Sequence, residues 1–203
     1  MHAELAAPAA AQVLFDRDFI TLYRGLDAPL CRAIVERFHA DPGKTHGRVY
    51  RQGQVLAEEA AFKNSWDLEI VDQGAWRDVF RAIHPRVQAC IAHYLSRSPI
   101  LQSFELQATG YKIQMYPRGQ GHFDWHADAT GRGVQSRQVA MILYLNDVAE
   151  GGETEFFHQG LKVAPRAGQL LLFPTAWNYM HRGAVPLSGD KVIVQTFVRI
   201  KEG

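Results

Sequence analysis

The chain has 203 residues, 47% of them hydrophobic and 11% aromatic, which is enough to bury one core. Its formal net charge is +1 with no run of Lys or Arg, which argues against a nucleic-acid-binding surface. No apolar run reaches the roughly 18 residues of a membrane span. The opening MHAELAAPAAAQ lacks a basic start and is interrupted by Glu4 and Pro8, so it reads as an Ala/Pro-rich frayed tail rather than a signal peptide. The two cysteines, Cys31 and Cys90, fit no zinc or redox spacing. They read as buried thiols in a reducing compartment, and the chain as a soluble cytoplasmic protein.

Helical periodicity dominates the first half. Asp27-Ala-Pro29 predicts a helix start, Leu30, Ile34, Val35 and Phe38 form its apolar stripe, and Pro42-Gly43 ends it. A second helix carries Val79, Phe80, Ile83, Val87, Ile91, Tyr94 and Leu95 at steps of three and four. Pro85 falls inside it and implies a kink or two consecutive helices. Near residue 105 the texture turns to strands: Tyr111 to Tyr116, Val139 to Leu145, Gly168 to Phe173 and Val192 to Ile200. Pro117-Arg-Gly, Thr130-Gly-Arg-Gly, Glu150-Gly-Gly and Pro165-Arg-Ala-Gly supply the turns. With no repeat or linker, the expectation is one α+β domain over 1–203. Residues 1–105 give helical support and first strands, and 106–203 a jelly-roll (double-stranded β-helix) core. On pattern alone a plain β-sandwich fits as well.

The chemistry-bearing residues lie in the second half. His126 and Asp128 are two apart, a spacing that puts both on one face of a strand. His181 follows fifty-five residues on, and Lys191 ten beyond that. Two imidazoles and a carboxylate can occupy one face of an octahedral iron(II), leaving three positions for a co-substrate and dioxygen. A structural zinc site would favour cysteine or a closed set of four ligands. A second pair, His122 and Asp124, falls on the same strand face, and spacing does not choose between the two.

From Tyr116 onward the chain resembles the 2-oxoglutarate- and iron(II)-dependent dioxygenases, in particular the prolyl 4-hydroxylase-like branch. The resemblance rests on Tyr116, Gly119, Phe123, His126 and Asp128 in that order, then Arg137 to Asp147 with Tyr144-Leu-Asn, and Gly151-Gly-Glu-Thr-Glu-Phe156. Pro165 to Phe173 follows, and then His181, Gly183, Pro186-Leu, Gly189 and Lys191. It covers close to half of the chain. It selects His126 and Asp128 over His122 and Asp124, because only that register keeps an aromatic three residues before the histidine.

The resemblance implies iron(II) held by His126, Asp128 and His181. It implies 2-oxoglutarate with its distal carboxylate on Lys191 and Tyr144, and Tyr116 lining the same pocket. The implied activity is oxidative decarboxylation of 2-oxoglutarate coupled to hydroxylation of a substrate C–H bond. Dioxygen is then the second co-substrate, ascorbate a candidate accessory reductant, and no catalytic residue is needed beyond the ligands. The implied substrate is a small molecule or a peptidyl residue, with a prolyl residue the leading case. The alternative from another class is a catalytically weak jelly-roll module that senses metal and 2-oxoglutarate.

Departures from the family pattern are Ala140, where many members have threonine, and Gln120-Gly-His near the mouth. Lys191 at plus ten and the neutral charge balance separate the chain from nucleic-acid demethylases of this fold. Asp128 separates it from the halogenases, and the absence of His-x-His with a glutamate separates it from cupins. Arg118, Arg132, Arg137, Trp125 and Trp177 are candidates to shape the entrance.

Overall fold

The Asp27 carboxylate accepts a hydrogen bond from the Leu30 amide at 2.8 Å, and Pro29 sits in the first turn, so the first helix starts where the sequence places it. The computed structural model describes residues 11–51, 54–56 and 59–201; of the stretch 1–12 read as a frayed tail, residues 1–10 lie outside them, and Gln12 instead opens the first strand. The helices are α1 (Ala28–Ala40), α2 (Arg77–Ser96) and α3 (Pro99–Gln102). α2 runs through Pro85 as a single helix, which settles the choice between one helix and two. The strands of the first half are β1 (Gln12–Arg17), β2 (Ile20–Arg24), β3 (Thr45–His46), β4 (Val49–Arg51), β5 (Gln54–Leu56), β6 (Lys63–Asn64) and β7 (Trp66–Ile70). Those of the second half are β8 (Leu106–Ala108), β9 (Tyr111–Tyr116), β10 (His122–His126), β11 (Arg137–Tyr144), β12 (Thr154–Phe156), β13 (Leu161–Val163), β14 (Gln169–Pro174), β15 (His181–Gly183) and β16 (Lys191–Ile200).

Two antiparallel sheets carry the site. The larger has the order β1-β2-β14-β11-β16-β9-β7-β3, with β8 also on β16; the smaller has the order β13-β12-β15-β10-β6. The first half therefore contributes more strand than its helical periodicity suggests: β1, β2, β3 and β7 extend the large sheet at both ends, and β6 closes the small one.

Each strand of the large sheet shows one face to the helices and the other to the small sheet. Tyr111, Ile113, Val192 and Val194 join Ile34 and Phe38 of α1 and Ile83 and Val87 of α2 in one core. Each such aliphatic or aromatic side chain contributes about 1.5–3 kcal/mol by leaving water. Tyr116, Ala140, Ile142, Tyr144, Phe173 and Ile193 face the other way and meet Phe156 of the small sheet. The space between the sheets holds the candidate site. This is the double-stranded β-helix (jelly roll) with supporting helices, and not a plain β-sandwich.

The β1–β2 hairpin turns at Asp18 (φ 50°) and Phe19 (φ 60°), both in the left-handed region. A bulky residue there carries strain of about 1–3 kcal/mol. Two hydroxyls hold the turn: Tyr179 donates to the Asp18 carbonyl at 2.9 Å, and Tyr94 to the Phe19 carbonyl at 2.8 Å.

Candidate metal and 2-oxoglutarate site

β10 and β15 pair so that His126 stands directly opposite His181. Asp128 lies past the end of β10, in the turn that follows, and not on the strand as its spacing suggested. That turn is fixed by the Ala129 amide, which donates to the Thr175 carbonyl at 3.1 Å, and by Arg137, which donates to the Asp128 carbonyl at 3.3 Å.

The three side chains converge. Their ligand atoms all lie within 4.8 Å of one another. His126 Nε2 is 3.6 Å from one Asp128 oxygen, and His181 Nε2 is 3.6 Å from the other. The far nitrogens are oriented by main chain: His126 Nδ1 donates to the Asp124 carbonyl at 2.7 Å, and His181 Nδ1 to the Tyr179 carbonyl at 3.0 Å. A proton on each Nδ1 leaves the Nε2 lone pair free, as a metal ligand requires.

His126 Nε2 and Asp128 Oδ2 are buried with no hydrogen-bond partner among the described residues. Leaving such atoms unsatisfied costs about 1–3 kcal/mol each. Bonds of about 2.1 Å to a shared ion put two ligand atoms at most about 4.2 Å apart; both carboxylate–imidazole separations, 3.6 Å, fall within that reach, and the 4.8 Å bound on the whole set leaves the two imidazoles at most a few tenths of an ångström to close. The donor set therefore fits a divalent metal and accounts for the orphaned atoms.

Burial, with His126 alongside, brings His181 down to about 4, so it is neutral and competent to ligate at pH 7. Burial opposes ionisation of Asp128, but the facing imidazoles of His181 and His126, helped by Arg137, hold its carboxyl below the ordinary range. His122 is not part of the cluster. Its ring nitrogens lie against the carbonyls of Gln120 (2.9 Å) and Ala61 (3.0 Å), and its strand neighbour is Asn64 of β6.

The second predicted group gathers deeper between the sheets. Lys191 opens β16 opposite Tyr116, and its Nζ lies 5.6 Å from the Tyr116 ring and 5.7 Å from the Tyr144 ring. The ammonium lies over Gly183, within ordinary contact distance (3.8 Å) of where a Cβ would stand. Lys191 is 2% exposed and forms no ion pair among the described residues. Tyr144 and Thr154 share a hydroxyl contact of 2.7 Å, and the Tyr116 hydroxyl donates to Gln114 at 3.2 Å. Burial raises both phenols, so they stay protonated.

Burial also lowers Lys191 to about 7, only partly offset by Glu153. A carboxylate partner requires the charged form. Below pH 7 the ammonium is already present; above it, binding must recruit a proton. The expected result is an affinity for 2-oxoglutarate that is flat below pH 7 and falls by up to about tenfold per pH unit above it. Calorimetry on Mn(II)-loaded protein, in two buffers of different ionisation enthalpy, should find about one proton taken up per ligand at pH 8 and almost none at pH 6. Flat affinity from pH 6 to 9 without proton uptake would refute it.

A cavity of about 610 Å³ opens onto the metal cluster from the other side, with His126, Asp128, Phe123, Trp125, Lys63 and Arg137 in its wall. Of the candidate entrance residues, Arg137 and Trp125 line this cavity, and Trp177 lines a neighbouring groove. Arg118 instead ties down the turn before β16, through the Leu187 carbonyl and the Asp190 carboxylate, and exposed Arg132 lines neither space.

The sequence reading missed a buried polar cluster beside the cavity. Lys63 Nζ is 3.1 Å from Asp67 Oδ2, which also accepts from Gln114 Nε2 at 3.2 Å; Ser65 donates to Asp67 Oδ1 at 2.7 Å. Asp67 and Gln114 sit on the polar-looking faces of β7 and β9. That alternation reads as solvent-facing unless the second sheet is known to cover it.

Fold and cluster together define a double-stranded β-helix protein with a His–Asp–His constellation suited to a divalent metal. Residues 111–199 match the model of the 2OG-Fe(II) oxygenase superfamily, and over that stretch the chain is similar to its members. No curated protein matches its sequence.

Solved structures share the fold at low identity. A viral collagen prolyl hydroxylase from Paramecium bursaria Chlorella virus-1, in complex with 2-oxoglutarate, is 17% identical. The match has a TM-score of 0.65 and covers 93% of this chain and 99% of that one. A Pseudomonas putida prolyl-4-hydroxylase is 19% identical, with TM-score 0.63 and coverage of 88% and 90%. A Trichoplax adhaerens prolyl hydroxylase, in complex with a hypoxia inducible factor oxygen degradation domain peptide fragment, is 16% identical, with TM-score 0.68 and coverage of 85% and 78%.

Proposed function

We propose that the whole chain is one 2-oxoglutarate- and iron(II)-dependent hydroxylase domain acting on a prolyl residue of a polypeptide. The observation that carries the reading is the position of the His126–Asp128–His181 cluster, between a buried unpaired ammonium on one side and an open cavity on the other. With iron and 2-oxoglutarate bound, the site would supply an oxidation in which dioxygen gives one atom to succinate and one to the substrate carbon, with release of carbon dioxide.

The residues of this chain do the positioning. His126, Asp128 and His181 would hold the metal, each imidazole set by a main-chain carbonyl. Lys191 would hold the distal carboxylate of 2-oxoglutarate, with Tyr144 and Tyr116 as its walls. Phe123 stacks on His126 at 3.6 Å between ring centroids and shields it from water. No side chain need act as acid or base.

A polypeptide substrate is favoured by a second groove of about 490 Å³ that shares Thr130 and Arg137 with the cavity. Phe19, Ile100 and Trp177 line it and are 51%, 67% and 71% exposed. Chain on either side of the modified ring thus has somewhere to lie, and the Trichoplax enzyme's peptide complex supports the same class. A reducing compartment such as the cytoplasm fits Cys31 and Cys90, which are free and buried. Burial pushes Cys31 up to about 11 and raises Cys90.

The test is anaerobic titration of metal-free protein with iron(II) and 2-oxoglutarate, followed by oxygen. The expected result is a visible charge-transfer band, bleached by oxygen with stoichiometric succinate, and faster turnover with proline-containing peptides. Binding of both without succinate would establish the sensing module instead.

A further inference from the structure

Two lysines enter the space between the sheets. Both are nearly fully buried, and they flank Phe123. Across the small sheet one row of residues runs Val163, Thr154, Gly183, Phe123, Lys63 by direct strand pairing. Lys191 fills the space over Gly183. Lys63, 5% exposed, lies on the far side of Phe123 with its Nζ 5.3 Å from that ring, in the wall of the 610 Å³ cavity.

Lys63 has three N–H donors, and one is taken by Asp67 at 3.1 Å. Asp67 is itself shared, because Lys112 Nζ lies 3.7 Å from the same oxygen and also lines the cavity. One buried carboxylate thus serves two ammoniums. Lys112 also reaches Glu69 at 3.9 Å, but that side chain is 77% exposed and its charge is screened by water. Arg48 and Arg137 add positive charge to the same wall. Apart from Asp128, Glu69 is the one acidic residue in the lining among the described residues. Among the described residues the lining therefore carries more cations than carboxylates next to the reacting centre, with donors of the buried Lys63 ammonium still unspent.

We propose that Lys63, oriented by Asp67, is a specificity-determining residue that holds a carboxylate of the primary substrate. That carboxylate is either an acidic side chain next to the modified residue or the α-carboxylate of a free imino acid. The assignment rests on the oxygenase reading above and adds the charge of the substrate to it. A charge-assisted hydrogen bond from a buried ammonium orients the substrate as well as attracting it. Phe123 keeps the two carboxylates apart, 2-oxoglutarate on Lys191 and substrate on Lys63.

The experiment compares wild-type protein with the double variant K63Q/D67N. The single change K63M would leave the Asp67 carboxylate buried with Lys112 alone and endanger the fold, whereas the amide pair is neutral and similar in shape. Affinity of the Mn(II)-loaded protein for 2-oxoglutarate serves as the control for folding and for the co-substrate site. The probes are L-proline against L-prolinamide, and capped tripeptides with a central proline flanked on either side by Glu or by Gln.

Succinate formation gives KM. For probes that are bound and not turned over, enhanced proton relaxation by Mn(II) gives the affinity. Wild-type protein should prefer the acidic member of at least one pair by about 10- to 100-fold, and the double variant should lose that preference. The pair showing the effect identifies the source of the carboxylate. A wild type indifferent to charge in every pair overturns the proposal, as does a double variant that keeps the preference. Failure of the wild type to bind 2-oxoglutarate at all would instead refute the oxygenase reading.

Discussion

Replacing His126 by alanine should abolish iron-dependent turnover, whereas replacing His122 should leave iron affinity largely intact. The two histidines sit on one strand four residues apart, yet their surroundings differ in kind. His126 Nε2 is buried and unpartnered beside Asp128 and His181. Both nitrogens of His122 face main-chain carbonyls, and its neighbour across the strand is Asn64. Apparent binding energies of about 10–16 kcal/mol for four-ligand structural zinc sites suggest about 3 kcal/mol per ligand, so losing one should weaken metal binding on the order of 100- to 1000-fold. His122→Ala gives up contacts at the β6 edge and should cost stability rather than metal. Anaerobic Fe(II) titration of both variants measures this, and the opposite ranking would mean that the metal uses the earlier His-x-Asp.

Lys191→Ala should weaken 2-oxoglutarate binding by about two to four orders of magnitude, with iron affinity nearly unchanged. Removing one member of a buried charge pair costs roughly 3–5 kcal/mol, because the other is left without a partner, and each 1.4 kcal/mol is about tenfold. Lys191→Arg should recover only part of the loss, since a planar fork does not occupy the space of a compact ammonium.

Lys191→Met adds a signature that a general folding defect would not produce. The folded-state value of Lys191 lies near 7, below the ordinary lysine value of 10.5. Its charge therefore destabilises the ligand-free protein, fully below pH 7 and progressively less as pH rises towards 10.5. Methionine removes that penalty. Ligand-free Lys191→Met should be more stable than wild type by a few kcal/mol at neutral pH, and should lack the rise in stability between pH 7 and 10.5. Calorimetry for 2-oxoglutarate with Mn(II), and urea denaturation across that pH range, measure the two effects. Unchanged co-substrate affinity would shift the carboxylate to another cation, with Arg137 the first to examine.

The second half of the chain was legible because its strands obey simple alternation and its ligands are residue types with few roles in a core. β9 runs from Tyr111 to Tyr116 as the alternation predicts, and His181 opens the strand that faces His126. Three things escaped, each for a physical reason. Asp128 sits in a turn, because the spacing of two shared by strand neighbours also suits a strand end followed by a bend. The β1–β2 hairpin turns on Asp18 and Phe19 without a glycine, so the usual hairpin signal is missing, and tyrosine hydroxyls from distant elements hold it instead. Asp67 and Gln114 fall on the polar side of their strands, which in an open sheet would face water. Here that side looks into the site, and only the three-dimensional arrangement reveals it.

The main-chain carbonyls of residues 124 and 179 aim the two imidazoles. No side-chain replacement at those two positions removes such an anchor, since every amino acid brings the same oxygen. The aim of the metal ligands is thus a property of the path of the backbone, carried by the fold itself. It can outlast wholesale turnover of the residues around it, as long as strands β10 and β15 keep their register. The cations of the open cavity are held differently: each is presented by a side chain, and Lys63 is tied to buried Asp67, so rewriting it takes a paired change. The architecture thus separates a centre aimed by main chain from a rim aimed by side chains, and only the second can be altered by substitution.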